Sequence, residues 1–112
     1  SILGHLTGRL LLSRRGYPVD HQKIIDCCAA NAVSIELNAN PVRLDIDWKW
    51  IPYAQEKGVL LSINPDAHNL LGIQDIQFGV MAARKGGLYK ENCLNAKNLD
   101  AFKCWQNVKK SN

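Results

Sequence analysis

No apolar run in the 112 residues approaches the ~20 needed to cross a bilayer. The N-terminus also lacks the basic stretch and apolar core of a secretory signal. Together these absences exclude a membrane partner and lead to the expectation of a soluble, cytoplasmic protein. The four cysteines fall as the adjacent pair Cys27 and Cys28 and the separated Cys93 and Cys104, so there is neither a Cys-x-x-Cys metal knuckle nor a redox motif. They read as reduced thiols, mostly packing residues. There is no repeat at fixed period, no low-complexity tract and no obvious linker. The first residue is Ser and not Met, and the sequence enters at once on Ile2-Leu3 followed by Gly4-His5. That start reads as a chain cut from within a larger domain.

The composition is 46% hydrophobic, enough to bury one modest core, and 1–112 reads as a single partial domain. The net charge of +4 comes from a basic end at Lys103, Lys109 and Lys110 and from Arg9, Arg14, Arg15, Arg84 and Lys85. A mild positive field favours phosphate-bearing partners, although ordinary solvation is the simpler account.

Short apolar runs alternate with longer amphipathic ones, a pattern that predicts strands and helices taking turns around a parallel sheet. Ile2-Leu3 reads as the end of a strand. His21 to Asn31 places Ile24, Ile25, Cys28 and Ala29 on one helical face, with Asp20 as the cap. Val33 to Leu37 is a β-branched run of strand length. Asp47 to Lys57 looks helical, stopped by Gly58, and Pro52 inside it implies either a delayed first turn or a helix that starts near Pro52. Val59 to Ile63 is a further strand. Ile73 to Lys85 puts Ile73, Ile76, Val80 and Met81 on one face and ends at Gly86-Gly87. A last helix is expected from about Asn98 to Lys109, with Leu99, Phe102, Trp105 and Val108 as its apolar positions. The result is α/β, about three parallel strands with flanking helices. A closed barrel of eight such units needs about 250 residues, so this is either an open three-layer domain or a piece of a barrel.

Reactive residue types gather just after the strands: His5 after the first, Asn38 and Asn40 after the second, Asp66 and His68 after the third. In parallel α/β folds the loops at the strands' carboxyl ends form the active face. Asp66-Ala67-His68 sets a carboxylate and an imidazole two apart, on one side of an extended segment, a donor pair suited to Zn, Mn or Fe. The bland alternative is a capping Asp with a surface His beside it. Gly4 to Arg9 adds His5 beside two glycines, with Thr7 and Arg9 able to donate to a phosphate. His21 reads as solvent-facing. Glu36 reads equally as a satisfied core carboxylate or a functional one. Asp45 and Asp47 could form a carboxylate pair, but capping explains Asp47. Trp48 and Trp50 read as packing residues rather than base-stacking ones.

Four stretches, taken in order, resemble the PHP (polymerase and histidinol phosphatase) family, and within it the domain attached to bacterial family X DNA polymerases. They are Ile2-Leu3-Gly4-His5-Leu6-Thr7-Gly8-Arg9, Ile35-Glu36-Leu37-Asn38-Ala39-Asn40-Pro41 with Arg43-Leu44-Asp45, Ser62-Ile63-Asn64-Pro65-Asp66-Ala67-His68, and Ala83-Arg84-Lys85-Gly86. The resemblance implies the C-terminal portion of a distorted (β/α)7 barrel that holds divalent ions and hydrolyses phosphoesters, in family X polymerases as a manganese-dependent 3'-5' exonuclease or end-processing phosphatase. It places His5, Asp66 and His68 among the metal ligands, with Arg9 and Lys85 as weaker assignments for phosphate contacts. Leu6 stands where many relatives have Pro and Asn69 where many have Ser; neither change removes a ligand.

The family's first His-x-His and further His, Asp and Glu ligands have no counterpart in the sequence. The isolated chain is therefore expected to bind Mn, Zn or Fe weakly or not at all and to be inactive, with DNA or another phosphoester met only through the larger protein. An exposed barrel edge leaves self-association open. The competing readings are a non-catalytic remnant that scaffolds a partner, a DNA-binding module using the basic end, and a stand-alone phosphatase of the histidinol-phosphatase type.

Overall fold

A computed structural model describes residues 1–110, with side chains described as far as Val108, so those of Lys109 and Lys110 in the basic end lie outside the described ones. Three strands, β1 (Ile2–Leu3), β2 (Ser34–Asn38) and β3 (Leu61–Asn64), form one parallel sheet in that order. Four α-helices accompany them: α1 (His21–Ala30), α2 (Ile51–Glu56), α3 (Ile76–Lys85) and α4 (Leu99–Lys110). The architecture is α/β, a three-stranded parallel sheet with flanking helices, as the alternation of apolar runs predicts.

The central strand explains itself from its composition. Ser34, Ile35, Leu37 and Asn38 are all buried, as expected for a parallel strand covered on both faces. Ile35 pairs with Leu61 and Asn38 with Asn64, which brings the carboxyl ends of β2 and β3 level. Ile25, Ile46 and Ile51 complete the core around them, each fully buried.

Helix α1 follows the expected face: Ile25 and Cys28 are buried, and Ile24 and Ala29 pack against the core. The Asp20 carboxylate caps it by accepting from the Lys23 N–H at 3.1 Å. His21 differs from its expected solvent-facing position. Its ring stacks on Trp50 with centroids 4.8 Å apart and planes 4° from parallel, because the first turn of α1 lies against the 3-10 turn Trp48–Trp50. Trp48 and Trp50 both pack on the core, consistent with their reading as packing residues.

Asp47 caps that 3-10 turn, accepting from the Lys49 N–H at 3.0 Å, and Pro52 then sits in the first turn of α2, where no N–H is needed. Of the two expected starts, the one near Pro52 is realised. The basis for α3 requires a larger correction. The sequence periodicity places Ile73, Val80 and Met81 inside, but all three are exposed and the buried positions are Gly79 and Ala83. Gly79 makes the difference: a Cβ there would lie 2.5 Å from both Ala39 Cβ and Ile63 Cγ2, so the helix backbone itself rests on the sheet. Gly87, at φ +75, closes the turn after α3 as expected.

Beyond α3 the chain returns along the outer side of β3. The Asn95 amide makes a paired contact with the Ile63 backbone, accepting from its N–H and donating to its carbonyl, each at 2.8 Å. Helix α4 starts where Asn98 accepts from the Ala101 N–H at 2.9 Å, and its Leu99 and Val108 remain exposed. No helix among the described residues is long and apolar enough to cross a membrane.

Candidate functional site

Loops from all three strands meet at the carboxyl edge of the sheet, and Glu36 joins them. Its Oε1 accepts from the His5 backbone N–H at 3.0 Å and from Asn38 Nδ2 at 3.3 Å, and its Oε2 accepts from Asn64 Nδ2 at 2.8 Å. Ser62 in turn donates to Asn64 Oδ1 at 2.9 Å. The side chain that sequence alone left between a core role and a functional role is thus a half-buried acceptor that ties β1, β2 and β3 together just below their loops.

His5 and Asp66, in the first and third of those loops, share an unusual backbone. Their φ values are +28 and +55, in the left-handed region that costs a residue with a Cβ about 1–2 kcal/mol and that Leu12, Ala32 and Leu44 also adopt. Such strain concentrates at functional positions when the surrounding contacts hold it in place. His5 is exposed, fixed through its own N–H to Glu36, with its imidazole toward solvent. The turn at Asp66 means that Asp66-Ala67-His68 is not the extended segment expected from its spacing. The two residues are linked instead through the backbone: His68 Nδ1 lies 2.7 Å from the Asp66 carbonyl oxygen. A carbonyl can only accept, so Nδ1 carries a proton, and in the neutral ring Nε2 then carries the lone pair. The Asp66 carboxylate meets Arg43 Nε at 3.3 Å.

The segment after β2 folds back on that strand. Asn38 N–H donates to the Asp45 carbonyl at 2.6 Å and Ile46 N–H to the Glu36 carbonyl at 3.2 Å. Asp45 is fully buried, and its Oδ2 accepts from Thr7 N–H at 2.8 Å, Thr7 Oγ1 at 2.9 Å and Gly8 N–H at 3.1 Å. Its Oδ1 has no hydrogen-bond partner among the described residues. The sequence gives one indirect sign of this role, the pairing of Asp45 with Asp47 around Ile46, and capping accounts only for Asp47.

Arg9 clamps the same segment. Its Nε donates to the Arg43 carbonyl at 2.8 Å, Nη2 donates to the Leu44 carbonyl, and Nη1 meets Asp47 Oδ2 at 3.0 Å. Burial alone would raise the Asp47 carboxyl, but the Lys49 N–H and the Arg9 guanidinium outweigh it and hold the group below the ordinary aspartate range. Lys85 sets its ammonium 4.6 Å from the centre of the Trp48 ring. Arg9 and Lys85 line one cleft of about 480 Å³ with Trp48, Phe78 and Met81. None of His5, Asp66 and His68 lines it.

Among the described residues no three His, Cys, Asp or Glu side chains come together to hold a metal ion. His5 and His68 are both exposed and Asp66 is engaged by Arg43, so the residues present do not fit a complete divalent centre by themselves. What the arrangement does provide is a pair of strained loops, each offering an exposed imidazole above a sheet edge pinned by Glu36.

No family model matches the sequence. Over 98 residues, 88% of the chain, it is 45% identical to the DNA polymerase/3'-5' exonuclease PolX of Bacillus subtilis (strain 168). The chain spans 17% of that protein's length.

Proposed function

We propose that the chain is the C-terminal part of a PHP-type phosphoesterase domain within a larger protein of the DNA polymerase/3'-5' exonuclease kind, and that the three strands belong to its distorted (β/α)7 barrel. The observation that carries the reading is the 45% identity to PolX over 98 residues, 88% of the chain. The way Glu36 ties the His5 loop to Asn38 and Asn64 at the sheet's carboxyl edge supports it.

On this reading His5, Asp66 and His68 are contributions to divalent-ion sites whose remaining donors lie elsewhere in the larger protein. Together with those donors, His5, Asp66 and His68 would hold a divalent ion, which when bound would supply Lewis-acid stabilisation of phosphate charge and lower the pKa of a coordinated water. The chain's own part is to aim its donors: Glu36 fixes the His5 backbone, and the Asp66 carbonyl selects the His68 tautomer that leaves Nε2 free. Asp66 would exchange Arg43 for the ion. Of the two phosphate assignments, Lys85 has the more available charge, because the Arg9 fork is taken up by Arg43, Leu44 and Asp47. DNA is the substrate class proposed for the whole protein.

The test uses the full-length protein that contains this chain, assayed for divalent-dependent 3'-5' hydrolysis of single-stranded DNA. His68→Ala should reduce the rate by roughly 100-fold or more, at least the loss that follows removal of a ligand's supporting partner. An unchanged rate would remove His68 from the ligand set. No hydrolysis by the unmodified protein with Mn2+, Zn2+ or Fe2+ would favour the non-catalytic scaffold.

A further inference from the structure

We propose that Asp45 is a positioning residue for His5, acting through the turn His5 to Gly8. Three features carry this. First, the backbone of Asp45 is itself fixed, bridged to Asn38 at the end of β2, with Ile46 bonded to the Glu36 carbonyl. Second, one oxygen of its fully buried carboxylate gathers three donors from two consecutive residues, the Thr7 N–H and hydroxyl and the Gly8 N–H. Third, Gly8 N–H also lies 3.0 Å from the His5 carbonyl, so the turn that Asp45 holds is the one that begins at His5.

The two carboxylates divide the task. Glu36 accepts from the His5 N–H and Asp45 holds the far end of the turn, so the backbone of His5 is pinned from both sides at φ +28. Leaving the Thr7 and Gly8 donors buried without a partner is costly. A strained residue persists only where its surroundings over-determine it, and this turn has two such restraints. Oδ1 takes no part in the restraint. An Asn at this position can direct its one oxygen to Thr7 and Gly8 through weaker hydrogen bonds, while its amide N–H groups are buried where Oδ1 has no partner, so it should disturb the same turn less than Ala does.

That the orientation of His5 serves a site rests on the function proposed above; the restraint itself is read without metal or substrate, so the two fail separately. The experiment is NMR of the 112-residue chain, comparing the unmodified protein with Asp45→Ala and Asp45→Asn. It follows amide exchange at Thr7 and Gly8 and the ring 15N signals of His5 and His68. Asp45→Ala should speed exchange at Thr7 and Gly8 by roughly tenfold or more and shift or broaden the His5 ring signals. The His68 ring and the Leu37 and Ile63 amides should stay as they were. Asp45→Asn should restore most of the protection and the His5 signature. Unchanged His5 signals in a folded Asp45→Ala would overturn the proposal, as would His5 and His68 moving together in Asp45→Asn. If Asp45→Ala does not fold, Asp45→Asn decides: a smaller change confined to Thr7, Gly8 and His5 supports the role, and no change or a uniform one overturns it.

Discussion

Asp47 performs two tasks with its two oxygens: Oδ1 caps the turn that starts at Trp48 and Oδ2 meets Arg9. Asp47→Asn separates them, because an amide oxygen still caps while the charge opposite Arg9 is lost. The folded carboxyl lies below its ordinary range, so its charge stabilises the fold above the unfolded value of about 3.9, and that contribution is lost as pH falls through the lower folded value. The side chains of the pair are 21% and 29% exposed, so solvent screens part of the attraction and about 0.5–1 kcal/mol is a reasonable size. Urea denaturation at pH 7 should find Asp47→Asn less stable by that amount, and the difference should shrink steadily below about pH 4. A difference that stays constant down to pH 2.5 would mean that the capping geometry, and not the charge, is what the substitution disturbs.

At the scale of elements, α3 shows where sequence periodicity succeeds and where it fails. Its existence, its stop at Gly86-Gly87 and its place after the third strand follow from pattern and turn chemistry. Its orientation does not, because the periodicity weighs apolar side chains and Gly79 has none. Seating a glycine on Ala39 and Ile63 lets the helix approach so closely that Val80 and Met81 turn outward. The same limit applies to Asn95, whose paired contact with Ile63 joins residues 32 apart in sequence and leaves no local sign. Within the candidate site, the loops bearing His5, Asp66 and His68 were legible because strand ends are legible. The roles of Glu36 and Asp45 depend on which distant donors reach them, so sequence could name the residues but not assign the roles. Gly79→Ala tests the close approach directly. Helix propensity alone favours Ala by about 1 kcal/mol, whereas forcing a methyl into a filled contact costs about 1–3 kcal/mol. With two side-chain carbons at 2.5 Å and the Ala39 Cα at 3.2 Å, overpacking should win. Gly79→Ala should be destabilised by about 1–2 kcal/mol in chemical denaturation and Gly79→Val by more, while Val80→Ala changes little. A stabilised Gly79→Ala would place α3 farther from the sheet than described.

For the molecule as a whole, the arrangement of donors and the number of donors point to different conclusions. His5 and His68 are exposed above a sheet edge organised to hold them, yet no third His, Cys, Asp or Glu among the described residues joins either one in a cluster. A divalent ion that binds tightly draws on at least three protein donors, and each missing donor leaves water in its place. Asp66 adds a further cost, since releasing its carboxylate means breaking the contact with Arg43. Calorimetric titration of the isolated chain with Mn2+ or Zn2+ at pH 7.5 should therefore show at most weak binding, with a Kd no tighter than about 10 µM, equivalent to about 7 kcal/mol. His68→Ala should lower even that. Chelator treatment should leave the far-UV circular dichroism of the chain unchanged, because its core of Ile25, Ile35, Leu37, Ile46, Ile51 and Leu61 consists of buried aliphatic side chains that ligate no metal. On the function proposed above, a longer protein containing this chain should instead bind tightly enough to retain metal through desalting, and should lose it on His68→Ala. Sub-micromolar affinity in the isolated chain would mean that the three loops rearrange into a complete site of their own, and the division of ligands between this chain and the remainder of the protein would then be wrong.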